Sequence, residues 1–290
     1  MEAKELIKKV RKIEIKTRGL SRQVFAGHYH SAFKGRGMAF TEVREYHPGD
    51  DIRSIDWNVT ARFNHPYVKV FDEEREMTVM LVIDVSGSTT FGAAGKPKDQ
   101  LIAEIAGILA FSAITNNDKV GVIFFSDQIE KFIPPKKGST HILRIIRELI
   151  DFKPKHTGTD LSVALKYLRN VIKKRSVAFL ISDFHSKGFE DALSIVARKH
   201  DLICLRVNDP RESQIPALGL IRFSDPETGQ TYLLDTSNKK LREYITYQVN
   251  EHEVFLKRAF SRAGVDSVYI SSDKDYVPPL MKFFQKRSHY

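Results

Sequence analysis

Asp84-Val85-Ser86-Gly87-Ser88 packs one carboxylate and two hydroxyls into a single short stretch. It follows an apolar run, Met77 to Ile83, that reads as a buried strand. A loop at that strand end must curl the three groups onto one point. Hard oxygens converging in this way are what Mg²⁺ or Mn²⁺ requires. Two further segments supply donors of the same kind. Thr157-Gly158-Thr159-Asp160 opens a segment with helical periodicity at Leu161, Ala164, Leu165 and Leu168, so Thr159 offers a third hydroxyl from a helix start. A second apolar run, Val177 to Ile181, ends in Ser182-Asp183-Phe184, which puts Asp183 at the C-terminal end of another buried strand. In open parallel sheets, ligands sit outside those strand ends. Ser and Asp are also common turn and helix-cap residues, and capping explains any one of these positions taken singly. The ordered set Asp84, Ser86, Ser88, Thr159 and Asp183 is better explained by a metal site.

These donors need a sheet to hold them. After residue 76 the pattern runs strand, helix, strand, helix, helix, strand, helix, strand. Lys98 to Thr115 is apolar nearly all round, as a buried helix must be. Lys119 to Ser126 is a strand, and His141 to Ile150 and Leu161 to Ile172 are helices. Alternating apolar strands and helices predict an α/β fold: a doubly wound, mainly parallel sheet with helices on both faces. Residues 208 to 236 break the alternation. Arg222 to Leu233 reads as two strands around a turn, Asp225-Pro226-Glu227-Thr228-Gly229, and marks a hairpin insertion around 211–236. Such a hairpin either projects from the domain or extends a sheet edge. A long helix over 238–263 follows, with Leu241, Ile245, Val249, Leu256 and Phe260 on one face for packing on the sheet or on a partner helix. Asp266 to Ser271 forms a last strand and Tyr276 to Gln285 a last helix.

The N-terminal part differs. Residues 3–19 carry Leu6, Ile7, Val10 and Ile13 at helical spacing. Residues 28–75 are aromatic and glycine-rich, with short strands at Glu42–Tyr46 and Tyr67–Phe71 and a turn at His47-Pro48-Gly49-Asp50-Asp51. The expected organisation is a small β-rich subdomain with its helix over 1–75 and the large domain over 76–290.

Composition narrows the class. The chain has 290 residues, 42% apolar and 28% charged, so it can bury a core and is neither disordered nor membrane-like. No apolar stretch approaches the roughly 20 residues that span a bilayer. The charged start, Met1-Glu2-Ala3-Lys4-Glu5, does not resemble a signal peptide. The single cysteine, Cys204, lies in the apolar run Leu202-Ile203-Cys204-Leu205, which fits a buried thiol in a reducing compartment. A net charge of +10 without any nucleic-acid-binding module leaves solvated helix faces as the reading of Lys8-Lys9, Lys173-Lys174-Arg175 and Lys239-Lys240.

Asp84-x-Ser86-x-Ser88 with Thr159 and Asp183, in this order, resembles the metal-ion-dependent adhesion site of von Willebrand factor A domains. The resemblance implies that Ser86, Ser88 and Thr159 bind the ion directly. It implies that Asp84 and Asp183 act directly or through water, and that one position stays open for a partner's carboxylate. A second resemblance lies upstream. Gly35-x-Gly37, Phe40, Arg44-x-Tyr46, Pro48-Gly49-Asp50-Asp51, Arg53-x-Ile55-Asp56-Trp57 and Thr60-Ala61-Arg62 resemble the hallmark of bacterial DUF58 proteins, which carry this block just before a von Willebrand A-like domain. That resemblance implies a cytosolic protein working beside a MoxR-class AAA+ ATPase in a chaperone-like or assembly role. Physically, Arg44, Arg53, Arg62, Asp50, Asp51 and Asp56 are expected to form an ion-pair network over a packed Trp57, with a docking surface as the alternative.

Three functions compete. The first is a divalent-metal-dependent protein-interaction module, non-enzymatic and cytoplasmic, whose partner supplies an acidic ligand. The second is a metal-dependent hydrolase or phosphatase using the same aspartates, with His156 or His185 as acid or base. The position two residues after Asp84 is Ser86, a poor general acid, which weighs against catalysis. The third is a scaffold whose site holds no ion. The chain has no Gly-x-x-x-x-Gly-Lys loop, so ATP hydrolysis must come from elsewhere.

Overall fold

The apolar runs become strands, and their burial shows why. A computed structural model describes residues 3–21, 29, 39–72, 76–90, 97–213, 216–224 and 229–288. Within it, β3 (Thr78–Asp84), β4 (Lys119–Phe125), β6 (Val177–Ser182) and β7 (Asp201–Asn208) are buried along almost their whole length. A strand covered on both faces has no solvent side, so its sequence reads as a continuous apolar run. The sheet has six strands in the order β10-β7-β6-β3-β4-β5, where β10 is Asp266–Ser271 and β5 is Ile129–Lys136. All neighbours are parallel except β4 and β5, which are antiparallel.

The chain forms two units, residues 1–32 with 78–290, and residues 33–77. The helix Ala3–Leu20 therefore belongs to the large unit, where it packs on the helices Lys98–Thr115 and Ser139–Asp151. The expected boundary at residue 75 thus leaves this helix on the other side. Gly107 allows the close approach, since a Cβ there would stand 3.1 Å from the Thr17 methyl. Lys16 also pairs with the buried Glu104. On the other side of the sheet, Met80, Val82, Ile123, Phe125, Leu180 and Cys204 share one cluster with side chains of the helices Leu161–Val171, Glu190–Lys199 and Lys239–Ala263. The expected α/β, doubly wound architecture is observed.

The hairpin residues form β8 (Leu220–Ser224) and β9 (Thr231–Asp235), a separate two-stranded sheet that joins no edge of the main one. Its proposed turn over 225–228 lies outside the described residues. Along Lys239–Ala263 only Leu256, Ala259 and Phe260 are buried, so the helix uses its C-terminal half to pack.

The small unit is a hairpin of β1 (Ala39–Glu45) and β2 (Tyr67–Asp72) enclosing two short helices. Its acidic residues act mainly as caps. Asp51 accepts from Arg53 N–H at the start of the 3₁₀ turn Ile52–Ser54, and Asp56 accepts from Asn58 and Val59 N–H at the start of Trp57–Phe63. Of the expected network, Arg44 and Asp50 form a two-pronged pair at 2.7 Å. Asp56 pairs with Lys69 at 3.4 Å. Trp57 is not packed beneath this network: it opens a helix that buries no residue and is 68% exposed. Gly35 and Gly37 lie outside the described residues.

Candidate metal-binding site

Sheet order decides where the donors meet. From β3 the chain moves to β4 and β5 on one side, then returns to β6 on the other side of β3. The C-terminal ends of β3 and β6 therefore flank the point where the winding reverses, the usual ligand crevice of such sheets. Asp84 is the last residue of β3, and Asp183 follows the last residue of β6.

Hydrogen bonds draw four of the five expected residues into one cluster. Ser86 N–H donates to Asp84 Oδ1 at 3.0 Å, which curls the loop back over the strand end. Ser86 Oγ and Ser88 Oγ stand 3.1 Å apart. Lys98 Nζ ties Asp183 to this loop, standing 3.3 Å from Asp183 Oδ2 and 3.5 Å from Ser88 O. Thr89 closes the turn by donating its hydroxyl to Ser86 O at 2.7 Å. The fifth residue, Thr159, lies in a neighbouring loop that Gly87 N–H reaches through Thr157 O at 2.9 Å. Capping does not account for these hydroxyls. Pro97 stands at the N-cap of Lys98–Thr115, and Asp160, not Thr159, caps Leu161–Val171.

Sequence reasoning missed three participants. Ser182, the buried last residue of β6, donates to Asp84 Oδ2 at 2.6 Å and accepts from Phe184 N–H at 2.9 Å. Phe184 is fully buried at φ 63, a left-handed conformation unusual for an aromatic residue. That turn returns His185 N–H to Asp183 Oδ1 at 3.2 Å. Lys98 and Glu212 are the other two. Lys98 Nζ lies 3.3 Å from Asp183 Oδ2 and pairs with Glu212. A lysine at a helix start and a glutamate beyond β7 carry no local signal of either contact.

Burial and the neighbouring Asp183 charge push the Asp84 carboxyl up to about 7, against hydrogen bonds from Ser182 and Ser86. Burial also acts to raise Asp183, but the Lys98 ammonium, with His185, Ser88 and the His185 N–H, holds it below the ordinary carboxylate range. Two buried carboxylates at one strand-end crevice repel, and a cation relieves that repulsion.

The donors fit a small hard ion. Adjacent ligands of an octahedral Mg²⁺ at about 2.1 Å stand about 3 Å apart, which matches the Ser86–Ser88 hydroxyl spacing. Among the described residues no group of three or more His, Cys, Asp or Glu is arranged to hold an ion. The donor set here combines hydroxyls with two carboxylates, the chemistry preferred by Mg²⁺ and Mn²⁺ rather than by zinc. The candidate acid/base histidines have other contacts. His156 pairs with Asp127 at 3.4 Å, and His185 stacks on His252 with ring centres 4.7 Å apart.

The uncharacterized protein Rv1480 of Mycobacterium tuberculosis is 28% identical over 269 residues, 91% of this chain and 84% of that protein. Similar solved structures include BatB of Bacteroides thetaiotaomicron, at 15% identity and TM-score 0.48, covering 74% of this chain and 100% of that one. The SpRpn10 von Willebrand A domain matches at 12% identity and TM-score 0.39, covering 72% and 95%. Both scores are low, and the fold described above rests on this chain's own strand order. No helix among the described residues is long and apolar enough to cross a membrane. The family model "Protein of unknown function DUF58" matches residues 42–255, which take in the small unit's cap residues and the whole strand-end cluster. The chain belongs to the DUF58 family.

Proposed function

We propose that the chain is a divalent-metal-dependent protein-interaction module with a von Willebrand A-like site. The observation that carries this reading is the convergence of Asp84, Ser86, Ser88 and Asp183 at the point where the sheet reverses its winding. Ser86, Ser88 and Thr159 hydroxyls and the two aspartates would hold Mg²⁺ or Mn²⁺. When bound, the ion supplies a Lewis-acidic position open to an outside carboxylate. The chain's own contribution is orientation: Ser182 fixes Asp84, and the Phe184 turn fixes Asp183.

The role is binding rather than catalysis, since Ser86 occupies the position where phosphatases of related layout place a second carboxylate. The module acts in the cytoplasm as an adaptor or assembly factor with a MoxR-class AAA+ ATPase, which provides the ATP hydrolysis this chain lacks. Calorimetric titration of Mg²⁺ and Mn²⁺ into chelated protein, with Asp84→Ala as control, tests the site. Saturable binding lost in the variant is expected. Partner capture that persists in chelator would overturn metal dependence, and steady metal-dependent phosphoester turnover abolished by Asp84→Ala would make the protein an enzyme.

A further inference from the structure

Lys98 is the first residue of a helix, yet its side chain is only 1% exposed. Its ammonium lies 3.3 Å from Asp183 Oδ2 and 3.5 Å from the Ser88 carbonyl oxygen, and it pairs with Glu212 Oε1. Two of the residues read above as ion ligands thus already face a positive charge. Buried lysines are rare unless paired, and this one is paired with two carboxylates.

Glu212 is itself held in place. It sits on the short helix Pro210–Ser213 just beyond β7, and its second oxygen accepts from Asp209 N–H at 3.3 Å. Asp209 accepts in turn from Arg211 N–H at 2.9 Å, so the two acids form a reciprocal cap. Ser272, just after β10, donates to the other Asp209 oxygen at 3.0 Å. Glu212 is therefore presented to Lys98 from a braced turn. Its side chain remains 21% exposed, at the outer end of an otherwise buried chain of contacts.

A divalent ion on Ser86, Ser88 and Asp183 would share Asp183 with this ammonium, and like charges at that separation repel strongly where both groups are buried. Lysine has a long flexible stem and can withdraw. On the reading that the cluster holds a divalent ion, we infer that Lys98 and Glu212 form an internal latch: a tethered cation and its own carboxylate that compete with the divalent ion for Asp183. What a partner's carboxylate does through the ion, Glu212 does through Lys98. The latched site binds Mn²⁺ weakly, and a partner that draws the Lys98 ammonium away from Asp183 raises ion affinity.

The test is calorimetric titration of Mn²⁺ into wild-type protein, Lys98→Met, Glu212→Gln and Asp84→Ala, with Mn²⁺-induced thermal shift as a second readout. Lys98→Met removes the competing charge and leaves Asp183 and Glu212 unneutralised, so Mn²⁺ binds at least about ten-fold more tightly than to wild type. Glu212→Gln leaves the Lys98 ammonium to Asp183 alone and weakens binding about three-fold. The double variant Lys98→Met with Asp84→Ala loses the gain, which places it at this cluster. Equal or weaker Mn²⁺ binding by Lys98→Met overturns the latch alone, since Lys98 then serves to position Asp183. If Lys98→Met does not fold, unchanged affinity in Glu212→Gln overturns the latch. Absence of Mn²⁺ binding in the wild type and in both single latch variants overturns the ion reading as well.

Discussion

Ser182 donates its hydroxyl hydrogen to Asp84 Oδ2 at 2.6 Å and so bonds the ends of two neighbouring strands across the site. Both residues are buried, and the same Ser182 oxygen accepts from Phe184 N–H. Ser182→Ala removes one donor to a buried carboxyl and leaves a buried N–H without its acceptor. The expected loss is about 1–3 kcal/mol of stability, read as a shift in the urea midpoint with unchanged slope. A variant as stable as wild type would show that water replaces the hydroxyl at no cost.

Asp84 sets an alkaline limit on the ion-free protein. Its carboxyl is raised from 3.8 to about 7 by burial and by Asp183. The folded state keeps a proton that the unfolded chain has lost, so this group's contribution falls as pH rises from about 4 to about 7. Asp183 is shifted downward and acts only below that window. Asp84→Asn removes the falling slope in chelator. Melting temperatures across this range, with an unchanged slope in the variant, would show that Asp84 is ionised in the fold without cost.

His200 acts in the opposite direction. It is 1% exposed, its Nδ1 bonds Ser176 Oγ at 2.9 Å, and burial followed by the Lys199 charge pulls it from 6.5 down to about 4. The unfolded chain takes up a proton first as pH falls, so stability is lost between pH 6.5 and about 4, by as much as about 3 kcal/mol. His252, lowered to about 4 chiefly by burial, adds to the same trend. His200→Gln flattens the acid limb of the stability profile, whereas Asp84→Asn flattens the opposing one. Because the two windows overlap, the wild-type profile is shallow and only the variants separate them. An unaltered acid limb in His200→Gln would assign that limb to other groups.

Gly121 is a packing requirement on β4. A Cβ there would stand 2.8 Å from Met80 Sδ and 2.9 Å from Pro135 Cγ. Met80 belongs to the neighbouring β3 and Pro135 to β5, so the glycine is closed in from both sides. Gly121→Ala forces one neighbour off its rotamer and costs about 1–3 kcal/mol. Thermal unfolding checks this, and a neutral or stabilising result would mean that Met80 moves aside freely.

Much of the sheet was legible because a strand buried on both faces has to be written as an apolar run; β3, β6 and β7 were readable for that reason. The strand β5 was not. Its sequence, Ile129-Glu130-Lys131-Phe132-Ile133-Pro134-Pro135-Lys136, mixes charge with proline, which suits an edge strand bonded on one side only. The helix Ala3–Leu20 was readable from its period, but its allegiance was not, since Gly107 and Glu104 that receive it lie far along the chain. Trp57 was misjudged because an aromatic beside charged residues suggests packing, while a short helix anchored by its Asp56 cap needs none.

The same division runs through the site. Local sequence determined the donor types and the strand ends that carry them: Asp84, Ser86 and Ser88 on one loop, Thr159 on a second, Asp183 on a third. Hydrogen bonding within a five-residue turn is local chemistry, so the curl of Ser86 onto Asp84 could be foreseen. Tertiary structure alone brought Ser182 to Asp84 across 98 positions and Lys98 to Asp183 across 85. A hydroxyl or an ammonium has no periodicity to announce its partner. Its role is set by which strands become neighbours, and that follows from the burial of the whole sheet rather than from any one residue.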